Sequence, residues 1–259
     1  MQERKYRIND RFIAVFNPMH DTIQFGNPQA LITPCIEIKV EPLRKTICLQ
    51  TVLHNVKCDM LNELKNGKTG IVAMMHLALV FAKALFPKCI HVELLDMIGY
   101  HDKLAGFNVI LSDRDMFFTG QTWYQRHLHQ INLVPVTANE TKLIKRCLHV
   151  LQLKPSKKDK IELKTLGFAT STSLTIIENL NKQKEKVGGL AYLQILTVQR
   201  FYNIPSLSGI AWIGDMINAN PFNIDIFYEQ IEMPQNMLAM WGGWKSLKSE
   251  PLRNNVISF

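Results

Sequence analysis

The chain has 259 residues, 47% hydrophobic and 20% charged, which excludes a disordered polypeptide and allows one large buried core or two smaller ones. Its formal net charge of +8 and pI near 9.2 would suit an acidic partner surface, but the total says less than the distribution. The five cysteines, Cys35, Cys48, Cys58, Cys89 and Cys147, are odd in number and contain no C-x-x-C pair, which excludes the common zinc and redox motifs and predicts thiols kept in a reducing compartment.

The opening MQERKYRIND is charged and lacks the layout of a signal peptide, and the longest apolar run, Ile71 to Ala82, is interrupted by His76 and too short to span a bilayer. No membrane insertion is expected. From residue 11 to about residue 136 short runs rich in Ile, Val and Leu predict strands: RFIAVF (11–16), ALITPCIEIKV (30–40), KTICLQTVLHNV (45–56), CIHVELLDM (89–97), FNVIL (107–111) and INLVPV (131–136). Two helices are predicted between them. One covers Gly70 to Phe86, stopped by Pro87 and apolar on most sides; the other opens on a Ser112-x-x-Asp115 capping pattern and continues through MFFTGQTWYQRHLH. From Ala138 onward TKLIKRCLHVLQL (141–153), SLTIIENLNKQK (173–184, Ser173 as its cap) and GLAYLQILTVQRFY (189–202) predict helices. The composition shift divides the chain into an α/β domain, residues 1–137, and a mainly helical region, residues 138–259; no internal repeat is present.

The segment LKNGKTG before the first helix resembles a phosphate-binding turn, yet a nucleoside-triphosphate loop requires a glycine where Asn62 stands. The order strand, glycine turn, buried helix, strand (CIHVELLD) and aromatic-bearing helix (QTWYQRHL) resembles the GNAT superfamily of N-acetyltransferases over roughly residues 45–136. That resemblance implies an α+β fold with a mixed, mostly antiparallel sheet and flanking helices, and acetyl-CoA as cofactor. It implies that Gly67, Lys68, Thr69 and Gly70 present backbone N–H groups and a helix N-terminus to the coenzyme pyrophosphate. Only the central glycine of the family's [QR]-x-x-G-x-[GA] turn is matched, by Gly67; Leu64 and Thr69 depart from it. Tyr124 occupies the place of the family's proton donor to the departing thiolate, without the Glu, Gly and Phe that often follow it. The pattern also resembles GNAT-like proteins of large DNA viruses, which would put the chain in the host cytoplasm and allows a catalytically degenerate derivative.

Acyl transfer to an amine needs a base, and the strand 45–56 carries no Asp or Glu, only His54; Glu93 is the expected catalytic substitute, with Asp96 beside it. His127 and His129, two apart on a helix, project in different directions, and no metal is expected. Trp123 and Tyr124 also read as core anchors beside Met116 and Phe117. The basic stretch LKPSKKDKIELK (153–164) has no interleaved aromatics, so a solvated helix face is favoured over a nucleic-acid patch. The alternative to a GNAT-like acyltransferase is therefore a non-catalytic protein working through protein contacts of its basic helical half, with nucleic-acid binding resting on charge alone.

Overall fold

A computed structural model describes residues 3–8, 12–26, 34–52, 67–97, 99–103, 105–183, 189–218, 220–223, 226 and 228–230, with residues 12 and 67–70 described by their backbone. In chain order these form strands β1 (Arg4–Ile8), β2 (Phe12–Asn17), β3 (Thr22–Gly26), β4 (Ile36–Glu41) and β5 (Thr46–Val52), then helix α1 (Gly67–Leu85). Strands β6 (His91–Asp96), β7 (Gly99–Asp102) and β8 (Phe107–Ile110) follow, then helices α2 (Leu111–Thr119) and α3 (Trp123–His127) and the short strand β9 (Val134–Pro135). Helices α4 (Ala138–Gln152), α5 (Lys157–Thr165), α6 (Ile176–Gln183) and α7 (Gly189–Phe201) precede strands β10 (Ile210–Asp215) and β11 (Tyr228–Gln230). The fold class is α+β with a mostly antiparallel sheet and seven α-helices among the described residues. Two compact units are present: Met1–Leu95, Gln130–Asn132 and Ile213–Phe259 make the first, Asp96–His129 and Leu133–Trp212 the second. The region after residue 138, expected to be mainly helical, also contributes β10 and β11.

In the first unit the sheet order is β11-β1-β2-β3-β4-β5-β6-β10. Neighbours from β11 to β5 pair antiparallel, and β5 and β6 pair parallel because α1 carries the chain back between them. Alternation divides the sheet into two faces. In β4, Ile36, Ile38 and Val40 are buried while Glu37, Lys39 and Glu41 are half-buried, and register carries each set across the neighbours. One apolar row runs Phe16, Ile23, Ile38, Leu49, Leu94; a second joins Val40, Ile47 and Val92.

Helix α1 packs on β4 and β5, and its Phe81 meets Tyr6 and Phe25 edge-on at centroid distances of 5.4 and 5.6 Å. At its C-terminal end the buried Lys83 ammonium donates to the Pro87 and Cys89 carbonyls at 2.8 and 2.7 Å, so a charge inside an apolar helix is matched by main-chain acceptors. Helix α1 begins at Gly67, so Gly67 to Gly70 form its first turn; the sequence predicted them as a turn ahead of the helix. No helix among the described residues is long and apolar enough to cross a membrane. Cys35 is disulfide-bonded, whereas Cys48, Cys89 and Cys147 are free. The disulfide at Cys35 departs from the expectation that the thiols stay reduced.

In the second unit α2 packs on α3, α6 and α7, and α4 on α6. Ser112 and Asp115 do not cap a helix: α2 starts at Leu111 with Ile110 as an N-cap that offers no side chain, and Asp115 instead accepts from the Arg126 guanidinium at 2.9 Å. Gly120, at φ 77°, ends α2 in the left-handed conformation that a side chain disfavours, and the single predicted helix becomes two. Thr122 with Gln125, Thr137 with Glu140 and Ser156 with Asp159 close reciprocal capping boxes. Thr175 with Glu178 makes the same exchange ahead of α6, replacing the expected Ser173 cap.

Met75 is fully buried on α1. Met75→Asp sets an unpaired carboxylate among the aromatic and aliphatic side chains of this core, at several kcal/mol. The variant should be recovered insoluble or without a cooperative thermal transition; near-wild-type melting would show that α1 is not the centre of the core.

Candidate functional site

The polar face of the first unit's sheet is built by strand register. Gln24, Glu37 and Thr51 lie side by side on β3, β4 and β5, and in the adjacent row Thr22, Lys39, Cys48 and Glu93 extend to β6. Glu93 is held: the Arg44 guanidinium donates to its Oε1 at 2.7 Å and the Cys48 thiol points at its Oε2 at 3.8 Å. Arg44 also pairs with Glu41 at 2.7 Å, and Lys39 reaches the other Glu41 oxygen at 3.1 Å. The Arg44 and Lys39 donors keep the Glu41 carboxyl below the usual carboxylate range. Burial, helped by the Glu41 and Glu93 charges, pushes the Cys48 thiol up to about 12, so Cys48 is a weak hydrogen-bond donor and no nucleophile at neutral pH. At the start of β6, His91 Nδ1 meets the exposed Asp215 carboxylate at 2.9 Å.

Two irregularities fall together in the middle of this sheet. The parallel register pairs Thr46 to Leu49 with His91 to Leu94, while β5 continues through Gln50, Thr51 and Val52. Ile38 faces Leu49 but Glu37 faces Thr51, so Gln50 is the extra residue of a β-bulge at the point where that register ends. A crossover helix between parallel strands runs opposite to them, which brings the first turn of α1, Gly67 to Gly70, to the end of the sheet where β5 and β6 finish. The backbone of these four residues is thus at a helix N-terminus; the remainder of the predicted turn, including Leu64 and His54, lies outside the described residues.

Tyr124 belongs to the second unit. It is buried on α3, edge-on to Trp123 at 5.2 Å, and Thr122, two residues before it, caps the helix. Burial, with the Asp96 charge adding to it, drives its hydroxyl well above the ordinary tyrosine value. His127 tilts against Trp123 at 4.6 Å, and His101 shares a hydrogen bond with Asn108 at 3.0 Å. Among the described residues no cluster of three or more His, Cys, Asp or Glu could hold a metal ion. The basic stretch folds largely as α5, whose lysines 157, 158, 160 and 164 are exposed while Leu163 anchors the helix; Lys158 and Glu162 form a 3.8 Å surface pair.

Sequence reasoning missed the most buried carboxylate network. Asp113, in the first turn of α2 and fully buried, accepts the Leu207 N–H at 2.7 Å, the Ser206 hydroxyl at 2.8 Å and the Tyr192 hydroxyl at 3.2 Å. Burial raises its pKa, and these donors only partly oppose the rise. Asp102 clamps more locally, accepting from the Ala105 and Gly189 N–H groups at 3.0 and 2.7 Å. A Cβ at Gly189 would collide with Ala105, which explains a glycine at the start of α7.

Comparison with models of protein families, with curated proteins and with solved structures gives no match.

Because the folded-state pKa of Asp113 lies above its unfolded value, the folded protein binds the proton more tightly. Its contribution to stability is complete below the unfolded value and is lost as pH rises through the raised one. Urea midpoints of the wild type and Asp113→Asn, measured from about pH 3.9 upward, should therefore draw together, the wild type losing stability with rising pH against a variant that cannot ionise, until the folded-state carboxyl has ionised. The substitution should also cost about 1–3 kcal/mol by turning an amide toward three donors. Parallel curves would show that Asp113 titrates as it does in the unfolded chain.

Proposed function

We propose that the first unit is a GNAT-like module that binds acetyl-CoA, and that the protein is an N-acyltransferase or a derivative that retains the coenzyme site. The observation that carries this reading is the β5–α1–β6 crossover, whose parallel register stops at Leu49 and Leu94 beside the Gln50 bulge, at the end of the sheet where α1 opens with Gly67. An anion is favoured at a helix N-terminus by its unshared N–H groups and dipole, and glycines at 67 and 70 keep side chains away from an approaching pyrophosphate. The amide-bearing arm of coenzyme A is an extended chain, and extended chains bind proteins by adding to strand backbone where regular pairing gives out. A bulge beside that point is a recurrent device for re-aiming groups at a reaction centre.

The reading gives Glu93 a structural part, as the acceptor that orients Arg44 and Glu41 on the sheet. It gives Tyr124 no part in the chemistry, since a buried hydroxyl with a raised pKa is a poor acid.

Acetyl-CoA at about 100 times its Kd should stabilise the protein by roughly 2.7 kcal/mol, seen as a rise of several degrees in melting temperature. Gly67→Asp should abolish the rise by bringing a carboxylate to the helix N-terminus, and desulfo-coenzyme A should stabilise like the thioester. No shift for the wild type at millimolar coenzyme overturns the reading in favour of a protein that works through protein contacts. Where turnover is measured as thiol release, Tyr124→Phe should leave kcat within about twofold; a drop approaching the 10²–10⁴-fold worth of a lost general acid would restore Tyr124 to the chemistry.

A further inference from the structure

The three most exposed large apolar side chains among the described residues are Leu43 at 100%, Ile217 at 78% and Met19 at 72%. Apolar residues exposed singly need no explanation, but strand order gathers these three at one end of the first unit's sheet. Met19 lies in the turn from β2 to β3 and Leu43 in the turn from β4 to β5, and antiparallel pairing puts both turns at the same end. Because β6 runs parallel to β5, its first residue, His91, pairs with Thr46 at that end as well. Main-chain hydrogen bonds tie these connections together: the Val40 N–H donates to the Asp21 carbonyl at 2.7 Å, Ile90 to Lys45 at 2.8 Å and Met216 to Ile90 at 2.6 Å. Ile217 follows directly on the last of these bonds. With neighbouring strands about 4.8 Å apart, the apolar tips stand about 10–12 Å from one another along the sheet end.

The turns that carry the tips are fixed in advance. Asn17 Oδ1 accepts the Met19 N–H at 3.0 Å, and Lys45, left-handed at φ 55°, closes its turn onto the Pro42 carbonyl. Charge is placed with the two most exposed tips. Lys45 stands two residues after Leu43, and Lys88 lies in the segment that leads to Ile90 and so to the Ile217 tip; both lysines are exposed and neither has an acidic partner among the described residues. Nearby acids are already engaged, Glu41 and Glu93 by Arg44, Glu41 also by Lys39, and Asp215 by His91. Asp21 and Glu3, which accepts from Asn17, stand at the Met19 margin, so the positive part of this end lies between Leu43 and Ile217.

Tips separated by backbone and lysine do not form the continuous apolar core of a protein interface. A bilayer surface accepts single side chains between its headgroups wherever they fall, and anionic lipid draws the cations beside them. We infer that this end of the first unit docks on an anionic phospholipid surface, with Leu43 and Ile217 entering the headgroup boundary, Met19 at the margin, and Lys45 and Lys88 meeting lipid phosphates. Such docking is peripheral and needs no membrane-crossing helix. It does not rest on the acyl-CoA reading, because β5 and β6 finish, and α1 opens, at the opposite end of the sheet.

The test is co-sedimentation of the full chain with vesicles of phosphatidylcholine and phosphatidylserine, against vesicles of phosphatidylcholine alone. The wild type should pellet with the mixed vesicles, less so as salt rises, and poorly with the neutral ones. Leu43→Ser and Ile217→Ser change exposed side chains, so each should keep the wild-type melting temperature while lowering the partition coefficient about tenfold or more. Lys45→Gln combined with Lys88→Gln should weaken binding roughly tenfold and flatten its salt dependence. Lys157→Gln combined with Lys160→Gln, on α5, should leave binding unchanged. A wild type that stays in the supernatant, or that binds both kinds of vesicle equally, overturns the inference. Binding that survives Leu43→Ser combined with Ile217→Ser, or that is lost with the α5 pair, overturns it too. A wild type that dimerises in sedimentation equilibrium, and a Leu43→Ser variant that does not, would overturn it in favour of a contact between copies of the chain.

Discussion

Helix α1 has almost no polar face, and the first unit is arranged around that constraint. Ile71, Met75, Leu79, Phe81 and Ala82 are fully buried. A helix with this pattern must be enclosed on more than one side. The sheet supplies one wall through its apolar rows, and the aromatic contacts of Phe81 and of Phe86 with Phe16 close the packing at several depths. Because β5 and β6 lie at the two ends of α1, their parallel pairing follows from the crossover: a helix returning the chain to the sheet brings the next strand in the same direction. The polar face is what remains. Its Glu, Lys, Thr and Gln side chains alternate with residues committed to α1, so a change of one residue in register would expose the apolar core and bury the charges.

The second unit solves a different problem. Asp113 loses the solvation of its carboxylate in the core, a loss large enough to raise its pKa despite three donors. In return it ties the first turn of α2 to α7 through Tyr192 and to the segment at Ser206 and Leu207, elements about 80 to 95 positions away in sequence. Burial beside this carboxyl also pushes the Cys147 thiol up to about 12, which makes it a packing residue. A buried charge of this kind favours one arrangement of helices over others of similar apolar burial, because another arrangement would strand the carboxylate.

Legibility in the sequence followed the strength of local signals. β5, β6 and β8 stand inside the predicted apolar runs and β2 and β4 each end one residue past theirs, since Ile and Val at period two reveal a strand that buries one face. β1 was missed because RKYRI buries only Tyr6 and Ile8 between charges, and β3 because Thr22 and Gln24 alternate with Ile23 and Phe25. β11, with three exposed residues, has no signal of its own and exists by pairing with β1. The capping boxes were readable as Ser or Thr followed three residues later by Glu, Gln or Asp, yet the same rule misled at Ser112, where both residues of the pair sit inside the helix. Asp113 was invisible because its partners are remote, and Glu37 because the alternation of IEIKVE tells which side it faces but not which strands stand beside it.

The same separation of local and remote information decides where chemistry can arise. A strand that must keep Ile47 and Leu49 under α1 has alternate positions on its polar side, and here they are occupied by Thr46, Cys48 and, past the bulge, Thr51. None of these can hold a negative charge at neutral pH in place, and burial takes Cys48 further from ionising. The carboxylate beside this end of the parallel register belongs to the neighbouring strand β4, where the bulge, by inserting Gln50, sets Thr51 opposite Glu37. Without the extra residue Glu37 would pair one position earlier on β5. Position 50 already lies past Leu49, the last residue of the β5–β6 register, so the bulge changes which β5 side chain meets Glu37 and not whether Glu37 stands beyond that register.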